Sequence, residues 1–266
     1  MTTVGTYLSV AKDLPRWRKI AANRPQVASD TKYLAAKIGK ATSIDALMKD
    51  RRLFGIAMKA FGLGDMTYAS GMMRKVLEQG VDSPKDLANT LHNANMLAFA
   101  KAFDYAGGKA NVDTKDFVKS VTDRYVEQAM QADQGAQNPG VQLALYFRER
   151  APQLTSIYGV LADKSLLKVV QTALDIPAAA SRQSVDTQAR LLKAKVKIDD
   201  FKDPVKLEAF IKRFAAMYDM QNPGAGASVD NNANALLYTA SFLGSDQAVG
   251  VDMSLLLRRQ NAARGV

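Results

Sequence analysis

The chain writes nearly the same phrase twice. TSIDALMKDRRL begins at Thr42 and TSIYGVLADKSL at Thr155, 113 positions later. Across residues 42–63 and 155–176, Thr42, Ser43, Ile44, Asp50, Leu53 and Ala60 recur as Thr155, Ser156, Ile157, Asp163, Leu166 and Ala173. Most other positions exchange like for like, and Tyr33 pairs with Tyr146 at the same offset upstream. Further along the copies drift: DSPKDL (82–87) matches KDPVKL (202–207), Phe103-Asp104 matches Tyr218-Asp219, and Asp133-Gln134 matches Asp246-Gln247. This period is too long for a solenoid unit, which spans about 20–50 residues. It predicts two related multi-helix units in tandem, packed together. The first covers residues 1–132 with a basic N-terminal segment; the second covers residues 141–266 and carries a C-terminal helix from Val251.

The repeated phrase is written in helical spacing. Leu53, Ile56, Ala57, Ala60 and Phe61 fall at i, i+3, i+4, i+7 and i+8, one face of a helix, and Leu166, Val169, Val170, Ala173 and Leu174 repeat that face. Phe117, Val118, Val121 and Tyr125 stripe another helix, started by Asp113 or Thr114. Ser83 before Pro84 reads as a helix start, as does Asp203 before Pro204. Asp50, just ahead of an apolar stripe, suits a helix start as well. Strand patterning is nearly absent; KVKID (195–199) is its best candidate. Gly, Pro and Asn cluster at 106–113, 131–140 and 221–230, which predicts loops there, with the boundary between units at 131–140. The expected fold class is all-α.

Residue types exclude several chemistries. There is no cysteine, so no thiolate metal site or disulfide is available, and His92 is the only histidine. His92 lies in LANTLHNANMLAF, a helical stretch, and reads as a residue at the surface or core edge of a helix. No carboxylate cluster shows metal-ligand spacing. AGGKAN (106–111) lacks the spacing and the preceding strand of a phosphate loop and reads as a helix–helix turn. GLGDM (62–66) reads as a helix C-cap, with Gly62 or Gly64 at positive φ. An enzyme would require a pocket where Asp50, Asp163, Tyr33 or Tyr146 converge across the repeats. The expectation is a protein with no catalytic residues, no cofactor and no metal.

Charge points to an interaction instead. The net charge is +10, and residues 12–40 carry eight basic side chains against Asp13 and Asp30. Within them Trp17 stands between Arg16 and Arg18, followed by Lys19 and Arg24. Arg16, Trp17, Arg18, Lys19 and Arg24 are the expected protein-interaction residues, since Trp and Arg are over-represented at interfaces. Trp17 also fits packing on the first helix bundle beside Ile20 and Ala21. The alternative is a basic protein binding nucleic acid or an anionic membrane surface. No run of about 18 apolar residues marks a membrane span, and the N-terminus lacks the pattern of a cleavable signal peptide.

Several of these stretches resemble a known family. YLAAKIGKATSIDALMKDRRLFGIAMKAFGLGD (33–65), RKVLEQGVDSPKDLANTL (74–91), NPGVQLALYFRERAPQL (138–154), TALDIPAAASRQSVDTQARL (172–191) and FKDPVKLEAFIKRF (201–214) carry the likeness over most of the chain. They are similar to the flagellum-associated family of alphaproteobacteria known as domain of unknown function 1217. The resemblance implies a context beside flagellar basal-body and hook genes and no known catalytic residues. It implies a non-enzymatic structural or interaction role in flagellar assembly or the basal body, with flagellar components as partners. The place of work would be the cytoplasm, or the route out through the flagellar export apparatus.

Overall fold

The computed structural model describes residues 1–107, 110 and 112–223. Among these are fourteen α-helices and no strand, so the chain is all-α. In order they are α1 (Thr3–Lys12), α2 (Leu14–Ala22), α3 (Pro25–Lys37), α4 (Ile44–Lys49), α5 (Arg51–Ala60), α6 (Ser70–Gln79) and α7 (Leu87–Thr90). The series continues with α8 (Ala94–Phe103), α9 (Lys115–Gln137), α10 (Pro139–Arg150), α11 (Ile157–Ala162), α12 (Lys164–Ala173), α13 (Val185–Lys193) and α14 (Pro204–Gln221).

The repeated phrase folds the same way twice. In each copy a short helix (α4, α11) ends at an aspartate that starts the next (α5, α12). Asp50 accepts from Leu53 N–H at 2.9 Å, and Asp163 accepts from Leu166 N–H at 3.0 Å. Both helices end in a left-handed residue, Gly62 at φ 72° and Asp175 at φ 50°. In both, the next N–H turns back to close the helix: Leu63 donates to Met58 O and Ile176 donates to Gln171 O, each at 2.8 Å. This is the terminator expected at GLGDM, with Gly62 as the left-handed residue.

Two apolar cores result. In the first, α3 to α8 and the front of α9 enclose Leu34, Leu53, Phe61, Met73, Phe99 and Phe103. Its rings meet edge-on, Phe61 on Phe99 at 5.3 Å and Phe103 on Phe117 at 5.2 Å. In the second, α10 to α14 enclose Leu145, Phe147, Leu166, Val170, Phe201 and Phe214. Helix α9 runs through both, with Phe117, Val121 and Tyr125 in the first core and Met130 in the second.

Helix α1 belongs with the second core, although its sequence falls in the first unit. Val4, Tyr7 and Val10 are buried against α10 and α14. The N–H of Thr3 donates to both oxygens of Asp219, at 3.0 and 2.9 Å, and Tyr7 donates to Glu208 at 2.8 Å. These contacts are long in sequence, and no local pattern marks them.

Three expectations of local structure are corrected. Residues 131–137 are helix, not loop: α9 continues to Gln137, and Asn138 caps α10 by accepting from Gly140 N–H at 2.9 Å. Gly135 serves close packing there, because a Cβ would collide with Gln142 of α10. KVKID forms no strand; it leads into a 3-10 turn (Ile198–Lys202) that buries Phe201 in the second core. Ser83-Pro84 opens a turn rather than a helix. Asp86 accepts from Ser83 N–H at 2.7 Å, while Asn89 ties off the carbonyls of Val81 and Ser83, so α7 begins only at Leu87. By contrast Asp203 caps α14 as expected, accepting from Val205 N–H at 2.8 Å. The segment 106–113 is described only in part, and 224–266, with the C-terminal helix expected from Val251, lies outside the described residues.

Candidate interaction surface

Asp13 separates α1 from α2. It closes α1 and starts α2, accepting from Arg16 N–H at 3.2 Å, and Pro15 fits the first turn. Helix α2 then lies along α9. It buries Ala21 and sets Leu14 and Trp17 half-buried against the second core. Trp17 therefore packs, but on the second core rather than the first bundle, and Ile20 does not join it: Ile20 is 45% exposed.

The basic residues of this segment divide into two groups. Arg18 pairs with Glu127 and Arg24 with Asp133, both acids on α9. Burial pushes the Asp133 carboxyl up from its ordinary range even with the Arg24 guanidinium beside it. These two cations clip α2 and the start of α3 to α9. Arg16 and Lys19 are exposed, and among the described residues neither makes an ion pair. Of the five expected residues, Arg18 and Arg24 thus hold the helix, Trp17 seats it, and Arg16 and Lys19 face outward.

Tyr33, Asp50, Tyr146 and Asp163 form two separate pairs, one in each copy. The hydroxyl of Tyr33 donates to Asp50 at 2.7 Å, and that of Tyr146 donates to Asp163 at 2.6 Å. Tyr33 packs on the first core and Tyr146 on the second. Each pair fastens the start of a helix to the helix two before it, α5 to α3 and α12 to α10. Burial opposes the charge on Asp50, but donors from Leu53 and Tyr33 outweigh it and hold the carboxyl below its usual range. Burial, then the Asp163 charge, pushes the Tyr146 hydroxyl well above its ordinary value. Asn95 donates to the same hydroxyl at 2.9 Å, which ties α8 to α10 across the two cores.

His92 does not lie within a helix. It is exposed in the break between α7 and α8, at φ 51°, and the next residue restarts the chain. Asn93 caps α8 by accepting from Asn95 and Met96 N–H, at 2.9 and 3.1 Å. Among the described residues no group of three or more His, Cys, Asp or Glu is placed to hold a metal.

Asp30 is among the buried charges that sequence reasoning missed. It is 4% exposed and accepts from Tyr125 at 2.7 Å, Gln26 at 2.9 Å and Arg52 at 2.9 Å. Burial works against its charge, yet these donors together hold the carboxyl below the usual range. The spacing of Gln26 and Asp30, one helical turn apart, was the only local hint; Tyr125 lies 95 positions away.

An all-α protein with two aromatic-centred cores and helix-start locks is the class this architecture defines. Residues 60–207 match the family described as Protein of unknown function (DUF1217), and the chain belongs to that family. The fold is similar to the crystal structure of a protein from Agrobacterium tumefaciens. The likeness has a TM-score of 0.77 at 36% sequence identity and covers 83% of this chain and 94% of that one. No curated protein matches the chain. Among the described residues no helix is long and apolar enough to cross a membrane.

Proposed function

We propose that this chain is a non-enzymatic interaction protein of flagellar assembly, and that the outer face of α2 receives a protein partner. The observation that carries the reading is the division of labour on α2 and at the start of α3. Arg18, Arg24 and Trp17 fix the helix in place, while Arg16 and Lys19 stand exposed beside Ile20. A rigid helix presenting cations next to an apolar side chain suits an acidic protein surface. The flagellar setting rests on the family resemblance read from the sequence. The protein works in the cytoplasm beside the export apparatus or leaves through it.

An immunoblot of cytosol, membrane, purified hook–basal bodies and culture supernatant from motile cells tests this. Enrichment with hook–basal bodies, or release that stops when flagellar export is blocked, is expected. An even cytosolic distribution, with binding only to generic DNA or acidic vesicles and a steep salt dependence, would replace it with the nucleic-acid or membrane reading.

A further inference from the structure

A second surface lies on the first core, away from the α2 residues. Helices α4 and α5 and the start of α6 wall a cavity of about 880 Å³. Phe54 and Met48 give it an apolar lining, with Phe54 only 6% exposed. Lys49, Arg51, Lys59 and Arg74 stand around it, against Asp45. Arg74 is tied to Asp45 at 2.7 Å. Lys49, Arg51 and Lys59 are exposed and make no ion pair among the described residues.

Two glycines lining the same cavity have no structural reason to be glycine. Gly55 sits mid-helix in α5 and Gly71 in the first turn of α6, positions where glycine weakens a helix relative to alanine. Neither takes a positive φ. A Cβ at either would meet nothing within 4 Å. The second copy of the phrase supplies an internal comparison. At the offset of 113 positions, Lys168 stands for Gly55, Ala162 for Lys49 and Thr172 for Lys59. Helix α12 forms around Lys168 without difficulty, so the motif does not demand glycine. Its counterpart of Asp45, Tyr158, lies under Lys193 of α13 at 5.3 Å. The second copy keeps exposed cations that make no ion pair among the described residues, Lys164 for Arg51 and Lys168 itself, whereas Gly55, Lys49 and Lys59 belong to the first copy alone.

We propose that this groove binds an acidic, partly apolar peptide segment of another protein, whose backbone approaches closely over Gly55 and Gly71. Charge selects the occupant. A second copy of this chain carries +10 and is repelled. Residues 224–266 hold three arginines against three aspartates and offer no net negative charge. A small inorganic anion would leave the half-buried Met48 uncovered. A single-stranded nucleic acid would want exposed aromatic faces for stacking, and the one aromatic lining the groove, Phe54, is buried. Carboxylates on the rim and an apolar side chain on the floor satisfy both features. Glycine at the wall lets a second backbone come near.

The test uses the full chain and a short fluorescein-labelled peptide of Glu and Leu, with its Lys-for-Glu counterpart as control, read by anisotropy. The Glu peptide should bind and the control should not. Lys49→Glu with Lys59→Glu should weaken binding by about tenfold or more, because two rim cations that attract the peptide become anions that repel it. Gly55→Leu should weaken it similarly while the melting temperature stays level or rises. Arg16→Glu with Lys19→Glu on α2 should leave peptide binding unchanged, which separates this groove from the surface proposed above. Unchanged affinity in Gly55→Leu, or equal loss in the α2 variant, would overturn the proposal. So would tighter binding of a DNA duplex that the same groove variants abolish.

Discussion

The hydroxyl of Tyr146 donates to the carboxylate of Asp163 at 2.6 Å, seventeen residues further along the chain. The bond joins α10 to the start of α12, and because Asn95 donates to the same hydroxyl it also joins the two cores. Tyr146→Phe removes both bonds and leaves the Asn95 amide buried without that partner. The expected cost is about 1–3 kcal/mol, read as a lower urea midpoint. Tyr33→Phe, in the matching pair of the first copy, should cost less, since Tyr33 has no such link across the cores. Equal midpoints for Tyr146→Phe and the parent chain would show that the lock contributes nothing.

Gly62 and Asp175 end equivalent helices in the left-handed conformation. That conformation costs an L-residue about 1–2 kcal/mol, offset in part by the greater freedom of glycine in the unfolded chain. Asp175→Gly should therefore stabilise the protein by about 0.5–1 kcal/mol, seen as a higher melting temperature. The Gln221 bond to Asp175, at 3.2 Å and exposed, is a minor loss. Gly62→Ala should do the reverse, because its Cβ would also stand 3.1 Å from the Asn95 amide.

Stability should fall at both ends of the pH scale, for identifiable reasons. Burial first, then Glu208, pushes the Tyr7 hydroxyl far above its ordinary value; burial first, then Asp30, does the same to Tyr125. Folding binds these protons more tightly than the unfolded chain does. Their contribution is complete below about pH 10 and is lost above it, by about 1.4 kcal/mol per pH unit for each tyrosine. Asp30 runs the other way. Its carboxyl is held below the usual range, so its contribution is present above about pH 4 and is lost as pH falls through the depressed value. Melting temperature against pH should show a plateau between these limits. Tyr125→Phe should flatten the alkaline limb and shift the acid limb upward; a curve parallel to the parent would exclude the Tyr125–Asp30 pair as its source.

What was legible in the sequence follows distance along the chain. The helix faces of α5 and α12, the caps at Asp50, Asp163 and Asp203, and the terminator at Gly62 depend on neighbours within a turn or two, and periodicity shows them. The all-α class follows from these. The placement of α1 against α14, and the Asp30–Tyr125 pair, depend on residues 95 or more positions apart, and nothing local marks them. Gly135 misled in a particular way. A glycine beside Asn and Pro reads as a turn, but here it lets α10 approach the continuing α9. On the candidate surface the residue types were legible and their roles were not. Only the acids on α9 decide which of the cations on α2 and at the start of α3 are engaged.

Asp219 carries the closure of the second core by α1. Both its oxygens accept from the N–H of Thr3, and the residue is 2% exposed. Asp219→Ala leaves that buried donor unmet and should lower stability by about 1–3 kcal/mol. Trypsin should then cut at Lys12 in the folded variant sooner than in the parent, since α1 detaches first. Unaltered protection at Lys12 would mean that apolar burial of Val4, Tyr7 and Val10 alone holds α1.

The central claim, an interaction role in flagellar assembly through the outer face of α2, is tested most directly by swimming motility. A strain lacking the gene is complemented with the parent chain or with Arg16→Glu and Lys19→Glu, both checked for equal abundance. The expected result is a swimming defect in the deletion strain, rescue by the parent chain and no rescue by the α2 variant. Normal swimming in the deletion strain would contradict the flagellar role, and full rescue by the variant would contradict the assignment of α2.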